Sequence, residues 1–261
     1  FITDAFERYY SNRYIKDSSE VQIARGMYLN KSYEDTLWID TKQLKNYSRK
    51  IYVYSDVNMI LLQMTIDTIN NYSIDKYLSS NFYSKLGLQS IGFLPLKRFS
   101  LNKIMPTEND SYWRGQLLQG YVHDPSAALL GGIAGNAGLY SSAQELGVIF
   151  QMLLNGGTYG GERFLQASTI NLFTQTQPDS YRGLGFDKWS KKNVIAADAS
   201  ENSYGHTGFT GCCVWVDPDE ELVYVFLSNR VNPSVNNWRL NSLQVRQKVH
   251  QVVYDAIKEG L

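Results

Sequence analysis

Residues 203–230 read SYGHTGFTGCCVWVDPDEELVYVFLSNR, and this stretch decides the fold. Gly211–Val216 and Leu222–Leu227 are apolar runs of strand length. Asp217–Glu221, with Pro218 inside it, has turn chemistry, so the segment predicts an antiparallel hairpin. Ahead of the first strand, Gly205, Gly208, Gly211, Thr207 and Thr210 crowd around His206. Such a cluster reads either as a turn leading into a hairpin or as the edge of a binding cleft, and the residues alone leave both open. Cys212 and Cys213 are strand neighbours that point to opposite faces, and they match no metal spacing or disulfide framework. They read as packing residues.

Outward from the hairpin, the chain is punctuated by further local signals. Residues 1–50 are polar and aromatic-rich, with a short helical pattern at Ile2–Tyr9. Tyr54 to Asn70 predicts a helix: Ser55 is the N-cap, and Val57, Ile60, Leu61 and Met64 form its apolar stripe. A second helix is expected over Ile74–Leu86, ended by Gly87. Residues 88–125 read as loop, broken by Pro95, Pro106 and Pro125. GGIAGNAGLYSS (131–142) runs into a helix with a Ser142/Glu145 capping box and a buried stripe of Leu146, Ile149, Phe150 and Leu153. Gly156 ends that helix. A short helix near Ser168–Gln175 and a strand over Gly183–Trp189 follow. The chain closes on a long helix, Trp238–Ile257, with Leu243, Val249, Val252, Val253, Ala256 and Ile257 as its apolar set.

Composition narrows the function. Twenty-five basic and 25 acidic side chains balance to zero net charge, which removes the electrostatic footprint of a nucleic-acid binder. No polybasic segment points to a membrane surface, and no apolar run is long enough to span a bilayer. An apolar content of 43% supports a sizeable core. The 19 tyrosines suit half-buried strand positions, or a surface that stacks on sugars. FITDAFERYY at the start has the character of mid-protein sequence, so the chain is expected to be part of a longer one.

Three short motifs recur in a set order: Tyr54-Ser55-Asp56, the glycine-rich run 131–142, and His206-Thr207-Gly208. In this order they resemble the serine β-lactamase and penicillin-binding-protein superfamily, in its class C and esterase-like branch. Tyr54-Ser55-Asp56 matches the Tyr-x-Asn element with Asp for Asn, and His206-Thr207-Gly208 matches the Lys-Thr-Gly or His-Thr-Gly strand. The glycine run is similar to GGVAGHAGLFS, with Asn136 in place of His. YVHDPSAALLGG and YVFLSNRVNP resemble the domain that some Bacteroidetes proteins carry behind a family 3 glycoside hydrolase.

The resemblance implies an α/β (α+β) fold of β-lactamase/transpeptidase type, with an antiparallel sheet flanked by helices and a helical subdomain. Residues 1–261 would form one partial domain, 1–180 mainly helix and loop and 181–261 the sheet strands and C-terminal helix. It implies catalysis by Tyr54, Asp56 and His206, with Thr207, Gly208 and Phe209 lining the substrate and oxyanion site. A tyrosine relays protons, and a backbone N–H at Phe209 stabilises the tetrahedral oxyanion. An ionised Asp56 cannot donate as Asn does, and a histidine, unlike lysine, varies in charge near neutral pH.

The family's nucleophile is a Ser-x-x-Lys upstream of the tyrosine, and no serine before Tyr54 has Lys three positions on. SIDK (73–76) and SLNK (100–103) follow Tyr54 in the wrong order and are read as chance matches. The nucleophile, the first strands and the first helix are therefore expected in an upstream segment of the same parent protein. Without those strands the hairpin would expose an unpaired edge. His123-Asp124 reads as cleft-lining or loop-bracing, and His250 as structural. No cofactor and no metal are expected. The implied activity is acyl-enzyme hydrolysis of an ester, amide or cell-wall fragment in the bacterial periplasm or envelope. The alternatives are a glycan-binding accessory domain of a linked glycosidase and a lipolytic esterase of the same fold.

Overall fold

The computed structural model describes residues 10–11, 21–30, 52–178 and 180–260. The helical pattern at Ile2–Tyr9 and most of the irregular first 50 residues lie outside the described residues. The chain divides into two compact units: one takes in the described residues through Tyr83, Ile91–Tyr140 and Asn232–Ser234, the other Ser84–Ser90, Ser141–Val231 and Val235 onward. The units thus draw on alternating chain segments, without a single boundary near residue 180.

The first unit opens with short strands β1 (Tyr10–Ser11), β2 (Gln22–Ala24) and β3 (Met27–Leu29), ordered β1-β3-β2 and antiparallel. Ile23, Ala24, Met27 and Leu29 bury themselves with Leu118 and Leu129 in one core. Helix α1 (Asp56–Asn70) starts where expected, with Ser55 in extended backbone at its N-cap. Its buried face is narrower than the expected stripe: Ile60 and Gln63 are buried, while Leu61 is exposed. The second expected helix shortens to α2 (Ile74–Leu78), followed by a wider, π-type turn over Ser79–Tyr83.

The stretch read as loop contains a hairpin, β4 (Pro106–Asp110) and β5 (Gln116–Gln119). Its strands are polar because its order comes from side chains. Asp110 accepts from the N–H groups of Tyr112 and Trp113 and from Arg114 Nε at 2.7 Å, and Arg114 donates to the carbonyls of Val122 and His123. Short helix α3 (Pro125–Leu129) follows, with Pro125 in its first turn and Asp124 capping it through Ala127 N–H.

The second unit is built on helix α4 (Ala143–Leu154). Ser142 caps it as expected, at 3.3 Å from Glu145 N–H. Glu145 accepts from the N–H groups of Gln89 and Ser90, pinning that segment to the helix start. The expected apolar stripe is only half-buried, and Met152 is the fully buried residue. Strands β6 (Thr158–Tyr159) and β7 (Glu162–Arg163) and helix α5 (Ala167–Thr174) lead to the main sheet. The strand expected over Gly183–Trp189 shrinks to β8 (Asp187–Lys188).

β9 (Tyr204–Thr207), β10 (Cys213–Asp217) and β11 (Leu222–Phe226) complete an antiparallel sheet ordered β11-β10-β9-β8. The hairpin reading holds, and β11 is an edge of this sheet among the described residues. Cys213, Trp215 and Tyr224 pack with Ile195, Ala196, Ala199 and Tyr254. Burial pushes the Cys213 thiol up to about 12, consistent with a packing role.

The terminal helix is broken. A short α6 (Arg239–Ser242) is capped by Leu243, Gln244 follows with a left-handed φ of 53°, and α7 (Val245–Lys258) begins there. The buried side chains of α7 are Arg246, His250 and Tyr254, while Val249, Val252 and Ile257 of the expected apolar set are exposed. Each of these three side chains makes at least one hydrogen bond, although Arg246 Nε is left without one among the described residues. His250 Nδ1 accepts from Ala196 N–H while its ring stacks on Tyr224 at 4.1 Å. Tyr254 donates to Asp217 at 2.7 Å, and Arg246 donates to the Cys212 carbonyl.

Candidate active site

Tyr54 and Asp56 lie in the first unit. Tyr54 sits two residues ahead of α1 and is 61% exposed. Asp56 opens the helix. Desolvation, and then the Asp124 carboxylate, raise its pKa above the usual carboxylate value.

The ground beneath these two residues is tied by a side chain that sequence periodicity did not single out. Gln63, buried in α1, accepts from Gly135 N–H at 2.8 Å and donates to the Ile133 carbonyl at 3.2 Å. The helix and the glycine-rich run are thereby clasped. A Cβ at Gly135 would overlap the Met59 carbonyl, which explains why the run is glycine there. Asn136, at the position where the resemblance has His, donates to Asp124 at 3.2 Å. Asp124 is thus shared between the α3 cap, Asn136 and the electrostatics of Asp56. Its neighbour His123 bonds Glu108 of β4 through Nδ1, a bracing contact to the hairpin.

His206, Thr207, Gly208 and Phe209 lie in the second unit. His206 and Thr207 end β9, registered opposite Val214 and Cys213 of β10. His206 Nδ1 lies 2.8 Å from the Thr207 carbonyl, and because a carbonyl only accepts, Nδ1 carries the proton. Beyond Thr207 the chain turns tightly: Gly208 N–H donates to Cys212 and Gly211 N–H donates back to Gly208. Among the described residues a Cβ on Gly208 would meet nothing closer than 3.7 Å, so packing among them does not require glycine there. Gly205 and Gly211 are the sterically required ones. A Cβ at Gly205 would overlap the Val214 carbonyl, and Gly211 has φ +110° against Ser228 and Leu240.

Neither Ser-x-x-Lys match forms a serine–lysine pair. Ser73 sits at the N-cap of α2 with Lys76 exposed, and Ser100 donates to Asn102 at 2.6 Å.

A family model described as Beta-lactamase matches residues 30–246. The chain belongs to the beta-lactamase family. A Salmonella gallinarum protein called "Putative D-alanyl-D-alanine carboxypeptidase" is 33% identical over 233 residues, 83% of this chain and 54% of that protein. The chain spans about half the length of the curated relatives it matches. Among solved structures, a beta-lactamase from Mycobacterium bovis superposes with a TM-score of 0.53 at 18% identity, covering 78% of this chain and 65% of that one. Simvastatin synthase from Aspergillus terreus gives 0.53 at 16%, covering 76% and 54%. These likenesses show the beta-lactamase/transpeptidase-like α/β fold, with its mixture of helices and antiparallel sheets.

Proposed function

We propose that this beta-lactamase-family chain supplies one part of the active site of a serine acyl hydrolase in the bacterial cell envelope. The substrate class is an ester or amide, foremost a peptide ending in D-alanyl-D-alanine. The reading is carried by His206-Thr207-Gly208 at the end of a sheet strand, followed by a tight turn that holds the Phe209 peptide. The 33% identical relative named for carboxypeptidase activity supports the substrate class.

In this mechanism a serine hydroxyl attacks the substrate carbonyl while Tyr54 accepts its proton. The Phe209 N–H stabilises the resulting oxyanion, collapse expels the amine or alcohol as Tyr54 returns the proton to it, and water then attacks the acyl-enzyme, giving its proton through Tyr54 to the departing serine oxygen and releasing the acid. His206 holds the cationic position beside the site and Thr207 orients the substrate. The serine and its lysine come from an upstream segment of the same protein, since neither Ser73 nor Ser100 is paired with a lysine. An arrangement behind a family 3 glycosidase rests on the YVHDPSAALLGG and YVFLSNRVNP stretches.

Turnover by the full-length protein tests the reading, using a nitrophenyl ester, a chromogenic β-lactam and a diacyl-lysyl-D-alanyl-D-alanine peptide. Release of D-alanine from the peptide supports it. Inertness toward all three contradicts it and turns attention to glycan binding.

A further inference from the structure

The turn that follows β9 is fixed by a residue that lies close to it in space but some twenty positions on in the chain. Arg230 is 6% exposed, and its own N–H donates to the Thr210 carbonyl at 2.8 Å while Nε donates to the Phe209 carbonyl at 2.9 Å. Its Nη1 reaches the carbonyls of Val235 and Asn237, at 3.0 and 3.1 Å. The guanidinium lies between two rings, 4.5 Å from the Phe209 centroid and 4.0 Å from that of Trp238. Those rings meet edge to face at 6.3 Å. Among the described residues no carboxylate forms an ion pair with Arg230, so its fork is directed at backbone oxygens and aromatic faces.

The consequence lies in the peptide planes. The Gly208 carbonyl accepts from Gly211, the Phe209 carbonyl from Arg230 Nε, and the Thr210 carbonyl from Arg230 N–H. Both peptide units flanking Phe209 are trans, because the cis bond among the described residues is Asn232–Pro233. In a trans peptide the N–H points opposite to the preceding carbonyl. The Gly208 carbonyl faces the inside of the turn, so the Phe209 N–H is directed out of it. We propose that Arg230 is a positioning residue for acyl transfer: by holding the Phe209 and Thr210 carbonyls and stacking on Phe209, it aims the Phe209 N–H at the oxyanion. This rests on the reading of Phe209 as an oxyanion donor. It adds the residue that keeps that donor in place.

Lysine keeps the charge of Arg230 but has neither the planar fork nor Nε, so Arg230→Lys separates positioning from charge. In the full-length protein, with a nitrophenyl ester, Arg230→Lys is expected to lower kcat about 10- to 100-fold while KM changes less than about threefold, as for a displaced oxyanion donor. Affinity for a phenylboronic acid, which forms a tetrahedral adduct on serine, is expected to fall in parallel with kcat. Trp238→Leu removes one stacking face at a half-exposed position, guards against a folding failure at Arg230, and is expected to lower kcat by about three- to tenfold.

Hydrogen–deuterium exchange of segment 208–212 in the same proteins reads the turn without reference to turnover, and faster exchange in Arg230→Lys is expected. If the wild-type protein hydrolyses nothing, the proposed function fails, and the exchange result still decides whether Arg230 holds the turn. Unchanged exchange, or an Arg230→Lys enzyme of wild-type kcat and boronate affinity with only a lower Tm, would overturn the proposal.

Discussion

Asp56 stands where the resemblance has asparagine, and its surroundings act on its charge. Desolvation and the nearby Asp124 charge raise its pKa, so its ionised form is disfavoured in the folded protein. For an acid whose pKa is raised on folding, stability falls as pH rises from the unfolded value through the folded one. Asp56→Asn removes that penalty. The variant is expected to melt slightly higher than wild type at pH 7, by about a few tenths of a kcal/mol given its exposure, and equally at pH 3. Because Asn donates at every pH, the same variant is expected to raise amide turnover relative to ester turnover in the full-length enzyme. An unchanged ratio would remove Asp56 from substrate recognition. Tyr54→Phe deletes the proposed proton acceptor, and kcat is expected to fall at least about a hundredfold with the fold intact by circular dichroism. Retained turnover would take Tyr54 out of the mechanism.

Among the elements, the β10–β11 hairpin was legible because two apolar runs of strand length, the Pro218 turn and the flanking glycines are all local signals. The reading of glycine needed the structure. His206-Thr207-Gly208 draws the eye to Gly208, yet the steric demand lies at Gly205, under the Val214 carbonyl. Gly205→Ala is expected to cost more than about 3 kcal/mol and Gly208→Ala less than about 1 kcal/mol in denaturant titration. Equal costs would contradict the packing described for β9.

The buried face of α7 was illegible for a related reason. Periodicity ranks apolar side chains inward, whereas Arg246, His250 and Tyr254 go inside because Cys212, Ala196 and Asp217, remote in sequence, supply their partners. Gln63 follows the same rule, its amide meeting Ile133 and Gly135 some seventy positions away. Gln63→Leu leaves those two backbone groups unpaired and is expected to cost about 1–3 kcal/mol. The β4–β5 hairpin was missed because Asp110 and Arg114, rather than alternation, organise it.

For the molecule as a whole, two buried groups of the second unit, His250 and Asp217, make stability depend on acid. Burial, opposed by Asp217, lowers the His250 pKa to about 4. Above pH ~6.5 the imidazole is neutral folded or unfolded. As pH falls from there toward 4, the unfolded chain binds a proton that the folded one excludes, and stability drops by up to about 3 kcal/mol. His250→Phe is expected to flatten that part of the profile, and an unchanged slope would rule His250 out. Burial tends to raise Asp217, but hydrogen bonds from Ser200, Tyr254 and the Asp219 N–H hold it below the usual carboxylate value. Its contribution is present above the unfolded pKa and is lost only as pH falls further, through its folded pKa.

The central claim is that this chain carries acyl-transfer machinery whose nucleophile lies in another part of the protein. A fluorophosphonate probe, which labels only an activated serine, tests it most directly when applied in parallel to the full-length protein and to residues 1–261. The account predicts one labelled serine in the full-length protein, within a Ser-x-x-Lys upstream of these residues, and no labelling of residues 1–261. Labelling at Ser73 or Ser100, or none in the full-length protein, would contradict it.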